Sequence, residues 1–232
     1  MSIIIKTPRL MFTLLEVRTP FEIGAQLLSH RFYEKHLPKG EGRPVLVIPG
    51  FGASDSWTHK VRQSLRRLGY KPVGWNMGRN MGYTKKNREH LVAELTRLHS
   101  SSSGQKVSIV GWSLGGIFAR ELGRNHPQHV HSVITIGSPF SGDPRGNLTH
   151  GLFHRISGKE YTQESEAAFH RRSAPPGIRS IAIHSKSDGV VAWQCSQEQE
   201  SELTENIEVF SSHFGLVFNP LVLSAIAKAL KK

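Results

Sequence analysis

From residue 45 onward, short apolar runs alternate with amphipathic stretches, and this alternation constrains the fold more than any other feature of the sequence. Such alternation is typical of βαβ units, in which parallel strands lie buried beneath helices on both faces. The expected strands are Val45–Ile48, Lys71–Trp75, Val107–Val110, Ser132–Ile136, Ser180–Ile183 and Ile207–Phe210. The sequence therefore predicts an α/β protein with a mostly parallel central sheet.

Four stretches carry the periodicity of helices with one apolar face. They cover residues 54–69, residues 87–99, residues 115–127 and a last helix that Asn219 and Pro220 open. In the first of them, Trp57, Val61, Leu65 and Leu68 are expected on the inward face. These helices are expected to cover the sheet.

The length of 232 residues favours a single domain over residues 1–232. Within it, residues 1–43 form an N-terminal segment that looks helical, and residues 138–178 form an insertion long enough to serve as a lid. The N-terminal segment is expected either to pack against the sheet or to lie as an amphipathic element on a membrane surface.

Cys195 is the single cysteine, which excludes an intramolecular disulfide and suits a reducing compartment. Charged residues such as Lys6, Arg9 and Arg18 interrupt the apolar N-terminal stretch, so neither a signal peptide nor a membrane span is expected. We expect a soluble, cytoplasmic protein that could touch a membrane only peripherally.

Thirty Lys and Arg residues against eighteen Asp and Glu residues give a formal net charge of +12. A field of this sign attracts anionic lipid headgroups, nucleic acid or acidic substrates. The basic residues are scattered and lack the interleaved aromatic side chains of a base-stacking platform, which argues against nucleic-acid binding. Two interpretations of the positive charge remain: a solvated basic surface, or peripheral contact with an anionic membrane.

Ser113 stands between two glycines in the G-x-S-x-G stretch Gly111-Trp112-Ser113-Leu114-Gly115, directly after an expected strand and before an expected helix. A turn this sharp holds the serine in a strained conformation and leaves no room for side chains two positions to either side. It would present the hydroxyl at the carboxyl edge of the sheet, where open α/β folds bind ligands. Ser113 is therefore a candidate nucleophile.

A serine nucleophile needs a base and an orienting acid, which follow it in the chain in the order Ser, Asp or Glu, His on such a fold. Asp188 comes just after one expected strand, and His213 comes after the last strand and before the last helix. Asp143, which follows the strand after the Ser113 strand, is a rival for the acid. We expect Ser113, His213 and Asp188 to act together, with Asp143 as the alternative.

An oxyanion hole requires two backbone N–H donors. Leu114, directly after Ser113, is the expected source of one, and Phe51 in the glycine-rich turn after the first strand is the expected source of the other. Apolar residues near these positions could line an acyl pocket: Trp112, Phe140 and Phe214, together with Phe51 and Leu114. Residues 74–82 should form a loop at the same edge, where Trp75, Asn76 and Arg79 either shape the site or pack.

The combination of "VLVIPGFGAS", "GWNMGRNMG", "GWSLGGIFAR", "GSPFSGDPR", "SKSDGVV" and "SSHFGLVFNP" resembles α/β-hydrolases of the bacterial esterase and lipase-like type. The resemblance implies the α/β-hydrolase fold and ester hydrolysis through an acyl-enzyme on Ser113, with no metal or organic cofactor. It implies a small-molecule or lipid acyl ester as substrate. Lipase relatives often carry His-Gly before the oxyanion donor, where this sequence has Pro49-Gly50.

Two alternatives remain open on the sequence. The same three residues could perform acyl transfer or thioester cleavage, because these reactions use the same nucleophile. The chain could also be a non-catalytic module that binds membrane or nucleic acid on a hydrolase scaffold, although each triad position is filled.

Overall fold

The computed structural model describes Pro8 and residues 10–24, 35–82, 84–141 and 171–231. Its strands are β1 (Pro44–Ile48), β2 (Lys71–Gly74), β3 (Val107–Trp112), β4 (Val130–Ile136), β5 (Arg179–His184) and β6 (Thr204–Glu208). They form one six-stranded parallel sheet in the order β2-β1-β3-β4-β5-β6. The prediction of an α/β fold built on a parallel sheet is confirmed.

The helices are α1 (Leu10–Leu14), α2 (His59–Arg67), α3 (Lys85–Ser101), α4 (Leu114–Asn125) and α5 (Pro220–Lys231), and short 3-10 turns cover Leu15–Arg18, Trp193–Ser196 and Gly215–Val217. The Thr84 side chain caps α3 by accepting the Asn87 N–H at 3.1 Å. This cap fixes where α3 starts, two residues before the predicted stretch.

The core lies on both faces of the sheet, because successive residues of a buried strand point to opposite sides. Leu46 and Ile48 of β1 pack with α3 and α4 on one face, whereas Val45 and Val47 pack with α2 and α5 on the other. Each β1 residue is buried. This arrangement explains why the central strands read as continuous apolar runs.

The two outer strands differ from the central ones. Pro72 lies in β2, where a residue without an N–H is tolerated because β2 is the edge strand. At the opposite edge, β6 has the sequence TENIE and contains no fully buried residue. The prediction of Ile207–Phe210 as the last strand was therefore displaced, since a half-exposed edge strand does not show the apolar signal of a central one.

Helix α2 is shorter than the predicted stretch of residues 54–69, because it begins at His59. Trp57 precedes it in a turn, is 38% exposed, and stacks on Trp112 with 5.7 Å between ring centroids. The expectation that Trp57 belongs to the inward helical face was wrong. Val61 and Leu65, which lie within α2, are buried as expected.

The described N-terminal segment, residues 10–24, contacts loops at the carboxyl edge of the sheet through Thr13, Glu16 and Arg18. Neither α1 nor the 3-10 turn after it contains a buried residue. Residues 25–34 and most of the predicted lid, residues 142–170, lie outside the described part of the chain. Among the residues that are described, none of the helices has both the length and the hydropathy needed to cross a bilayer.

Candidate active site

Ser113 stands at the junction between β3 and α4 with φ of 53° and ψ of −123°. Positive φ is unfavourable for a residue with a side chain, so the surrounding structure must enforce it. The Ser113 N–H donates to the Ile136 carbonyl at 2.8 Å, which ties the turn to β4. A hydroxyl on such a turn is held at the carboxyl edge of the sheet.

The glycines around Ser113 are required by backbone contacts. A Cβ on Gly111 would overlap the Gly115 backbone, and a Cβ on Gly115 would overlap the carbonyl oxygens of Ile48 and Pro49. A Cβ on Gly50 would lie 3.0 Å from the Ser113 Cβ, so the loop after β1 packs directly beside the serine. The steric reason inferred from the sequence is the one that the structure displays.

Asp188 and His213 come from the loops after β5 and β6 and meet at the same edge of the sheet. The Asp188 Oδ2 lies 2.7 Å from the His213 Nδ1, and both residues are buried. The other carboxylate oxygen, Oδ1, accepts the N–H groups of Val190 and Val191, each at 2.8 Å. These bonds fix the orientation of the Asp188 carboxylate and leave its Oδ2 for the imidazole.

Two opposing effects act on the pKa of His213. Burial disfavours the charged ring and would lower the pKa, but the charge and hydrogen bond of Asp188, together with the charge of Glu16, outweigh burial and raise it above its ordinary value. The ring is therefore well suited to carry a proton for part of a reaction cycle.

Gly137 makes the pairing of Asp188 and His213 possible. Its φ is 53°, and a Cβ at this position would lie 3.2 Å from the Asp188 Oδ2 and 2.7 Å from the Leu216 Cδ1. A side chain at residue 137 would therefore crowd the Asp188 carboxylate that pairs with His213. The residue was not singled out in the sequence, where it is an ordinary glycine after a strand.

The loop that carries Phe51 is braced by Asn80, a fully buried residue. The Asn80 Nδ2 donates to the Pro49 carbonyl at 2.8 Å, and the Asn80 backbone carbonyl accepts the Gly52 N–H at 2.7 Å. Of the residues 74–82 singled out from the sequence, Trp75 is buried in the core and Arg79 is exposed. The residue that supports the loop from this stretch is Asn80, which sequence reasoning missed.

Asp55 joins the same two loops. Its carboxylate accepts the N–H groups of Trp75 and Asn76 at 3.1 and 2.9 Å, and Arg62 lies 3.6 Å away.

Leu114 is the first residue of α4, and the N–H groups of a first helical turn have no partner within the helix. The helix that begins with Leu114 thus directly follows Ser113, and the loop that carries Phe51 packs beside the Ser113 side chain through Gly50.

The three aromatic residues predicted to bind substrate occupy different environments. The Trp112 ring is buried, lies 5.6 Å from the His213 ring and donates from Nε1 to the His213 carbonyl at 3.3 Å. Phe214 is 38% exposed beside it. Phe140 is buried under the guanidinium of Arg120, at 3.8 Å from the ring centroid. Phe214 is therefore the one that solvent reaches.

Arg120 is itself a buried cation that pairs with the buried carboxylate of Glu198. Burial lowers the pKa of Arg120 to about 9. Its guanidinium also donates to the Ala174 carbonyl at 2.8 Å, in the described C-terminal part of the predicted lid, residues 171–178. This network anchors the described end of that insertion to α4.

The structure thus brings Asp188 and His213 into contact, and places Ser113 and the loops of Phe51 and Leu114 at the same sheet edge. The rival acid, Asp143, lies outside the described residues. The N-terminal segment was not predicted to take part, yet its Glu16 accepts the backbone N–H of His213 at 2.8 Å. No short sequence motif could have revealed a contact between residues 197 positions apart.

Comparison with known proteins agrees with this architecture. A family model described as the alpha/beta hydrolase fold matches residues 43–147. A pimeloyl-[acyl-carrier protein] methyl ester esterase from Aeromonas salmonicida is 25% identical over 99 residues, 43% of this chain and 39% of that protein. Lipase B of Pseudozyma antarctica is 26% identical over 117 residues, 49% of this chain and 34% of that protein. The chain thus matches little more than a third of the length of these relatives.

Solved structures extend the likeness over more of the chain. The mature Bacillus licheniformis lipase BlEst2 superposes with a TM-score of 0.61 at 17% identity, covering 84% of this chain and 94% of that one. A structure of the metagenome-derived lipolytic enzymes LipS and LipT gives a TM-score of 0.62 at 15% identity, covering 84% and 96%. At such identities the likeness concerns the fold.

The chain has the α/β-hydrolase fold, as the sequence resemblance implied. Within that fold, the curated relatives that match part of this chain are named as a methyl ester esterase and as lipases.

Proposed function

We propose that this protein hydrolyses carboxylic esters, with Ser113 as nucleophile, His213 as general base and Asp188 as the acid that orients His213. The observation that carries the proposal is the 2.7 Å bond between Asp188 and His213 in a buried setting, at the sheet edge where the strained Ser113 turn projects. A carboxylate on Nδ1 keeps the proton there. The Nε2 atom is then free to accept a proton from a hydroxyl.

In the first half of the reaction, the Ser113 Oγ attacks the ester carbonyl carbon while its proton passes to the His213 Nε2. The carbonyl oxygen becomes an oxyanion, which the N–H groups of Phe51 and Leu114 would stabilise. His213 then gives the proton to the leaving alcohol oxygen as the ester C–O bond breaks. The acyl group remains on Ser113.

In the second half, a water molecule attacks the acyl-enzyme carbonyl and loses a proton to His213. The bond to Ser113 breaks, and His213 returns the proton to the Ser113 Oγ. The carboxylic acid leaves, and no metal or organic cofactor is required. Trp112, Phe140 and Phe214 are the proposed apolar residues around the acyl group.

The test is hydrolysis of a short p-nitrophenyl acyl ester by the parent and by Ser113→Ala. Removing the nucleophile of such a triad should reduce kcat by roughly 10⁶-fold. Ser56→Ala is the matched control, because Ser56 is an exposed serine of the loop region at the same edge and should leave kcat unchanged. Equal rates for the parent and Ser113→Ala, with both proteins folded, would refute the mechanism.

The substrate class that fits best is a small or lipid acyl ester, since relatives that match part of the chain are named as a methyl ester esterase and as lipases. Peripheral contact with an anionic membrane is part of the proposal. Leu10, Leu14, Val17 and Phe21 project outward from the N-terminal segment, between 64% and 81% exposed, at spacings of one helical face. The net charge of +12 favours an anionic surface.

Binding to vesicles tests this contact. We expect the parent to sediment with phosphatidylglycerol vesicles more than with phosphatidylcholine vesicles, and Phe21→Asp to lose most of that binding. Leu203→Asp is the matched control, because Leu203 is a half-exposed apolar residue before β6, at the opposite end of the strand from the site. Equal vesicle binding by Phe21→Asp and Leu203→Asp would contradict the membrane contact.

A further inference from the structure

The N-terminal segment meets the rest of the protein through polar side chains, while four of its apolar side chains, those of Leu10, Leu14, Val17 and Phe21, face outward. Thr13 donates to the Gly189 carbonyl at 2.9 Å, and Arg18 donates to the Ser187 carbonyl at 3.0 Å. Glu22 accepts the Ser212 N–H at 2.9 Å. The partners are the two loops that carry Asp188 and His213, so the segment is attached to the site itself.

Glu16 makes the central contact between these loops. Its Oε1 accepts the Gly189 N–H at 2.9 Å and the His213 N–H at 2.8 Å, while its Oε2 lies 3.3 Å from the Phe214 N–H. Gly189 is the residue directly after Asp188. A single carboxylate oxygen therefore joins the backbone of the acid loop to the backbone of the histidine loop.

Such contacts are stronger than ordinary hydrogen bonds because the acceptor is charged. They also act on the backbone, where a shift would move both the Asp188 carboxylate and the His213 ring. A positional error of about 1 Å in a catalytic group can cost about 10²-fold in rate. We propose that Glu16 is a positioning residue, which clamps the Asp188 and His213 loops together and holds the imidazole in its reactive place.

The clamp has two components that can be separated. One is hydrogen bonding, which any acceptor oxygen at this place supplies. The other is negative charge, which favours protonated His213. The charged groups that face His213 are Asp188 from the β5 loop and Glu16 from the N-terminal segment, with Glu22 and Arg18 beside them. Arg18 and Glu22 form an ion pair, so Glu16 is the segment's contribution to the field at the ring.

This inference rests on the proposed function, so its test uses one readout that does not depend on activity. In Glu16→Ala, the amide hydrogens of Gly189 and His213 should exchange with solvent faster than in the parent, because their acceptor is gone. With a p-nitrophenyl ester, kcat should fall by roughly tenfold to a hundredfold while KM changes little. Met11→Ala is the matched control from the same N-terminal segment, since Met11 is 55% exposed, and should match the parent in both measurements.

Glu16→Gln separates charge from hydrogen bonding. The amide oxygen can keep the bonds to Gly189 and His213, so this variant should keep most of its kcat. Protonated His213 cannot accept the Ser113 proton, so activity falls as pH drops through the His213 pKa, which lies above the ordinary 6.5. Without the Glu16 charge that pKa is lower, and the fall should move to lower pH.

The outcomes are decisive for the clamp whatever the fate of the reaction. Unchanged amide exchange at residues 189 and 213 in Glu16→Ala would overturn the proposal, as would an unmoved pH profile in Glu16→Gln. If Glu16→Ala fails to fold, the folded Glu16→Gln variant decides by its pH profile. If Ser113→Ala stays active, the hydrolytic mechanism fails while the exchange data still report whether Glu16 joins the loops.

Discussion

The two halves of the candidate site are built by different physics. On the nucleophile side, Ser113 is held by steric contacts among glycines that lie within a few residues of it or in the loop after the neighbouring strand β1. On the base side, Asp188 and His213 are held by hydrogen bonds, and some of these come from the distant N-terminal segment. The closely packed glycines around Ser113 leave no room for an added atom. The hydrogen-bond network around Asp188 and His213, in contrast, can lose one bond while its other bonds remain.

The difference leads to opposite expectations for substitutions. A change on the nucleophile side should act first on folding, because an added side chain meets backbone that cannot move away. A change on the base side should act first on turnover, because the loops keep other contacts. One such contact is the Ser185 hydroxyl, which donates to the Ser211 carbonyl at 2.7 Å and joins the two loops independently of Glu16.

Among the substitutions that compare how the two sides are held in place, the largest expected effect is that of Asp188→Asn on the base side. The Asn oxygen can still accept the N–H groups of Val190 and Val191, which leaves its amide NH₂ facing the imidazole. His213 must then carry its proton on Nε2 and can no longer accept one from Ser113. In Ser-His-Asp enzymes this substitution lowers kcat by about 10⁴-fold, and we expect a similar loss in ester hydrolysis.

Asp143→Asn is the matched control for this experiment, because Asp143 is the rival acid on the sequence. We expect the control to keep its kcat and both variants to melt close to the parent. A greater loss of kcat in Asp143→Asn than in Asp188→Asn would reverse the assignment of the acid.

The same contrast explains what the sequence could predict. The central strands and the Ser113 turn are encoded by neighbouring residues, in buried apolar runs and glycines, so a local pattern reveals them. Asp188 and His213 could be predicted as partners because parallel strands bring their carboxyl ends to one edge and the chain order of such residues is fixed. Each of these inferences needs only the strand positions.

The parts that were missed depend on contacts that no local pattern encodes. Strand β6 has a polar sequence because it is an edge strand, so its boundaries were misplaced. Asn80 supports the loop after β1 from another loop, and Glu16 reaches His213 across most of the chain. In the sequence alone, Asn80 and Glu16 both resemble ordinary surface residues. Their roles become visible only in the folded structure.

A smaller effect, on the stability of the fold rather than on turnover, is expected for Gly115→Ala on the nucleophile side. The new Cβ would overlap the carbonyl oxygens of Ile48 and Pro49, which are backbone atoms at the end of buried strand β1 and just after it, and these atoms cannot rotate away. Forcing extra volume into well-packed surroundings costs about 1–3 kcal/mol of unfolding free energy. Urea unfolding should therefore show a lower midpoint with an unchanged slope.

Gly24→Ala makes the same chemical change where no atom lies within 4 Å of the new Cβ among the described residues, so its midpoint should stay at the parent value or rise slightly. If Gly115→Ala unfolds at the same urea concentration as Gly24→Ala, the turn is not held by steric contact. The nucleophile side would then resemble the base side, and its activity rather than its stability would be the property that substitutions change.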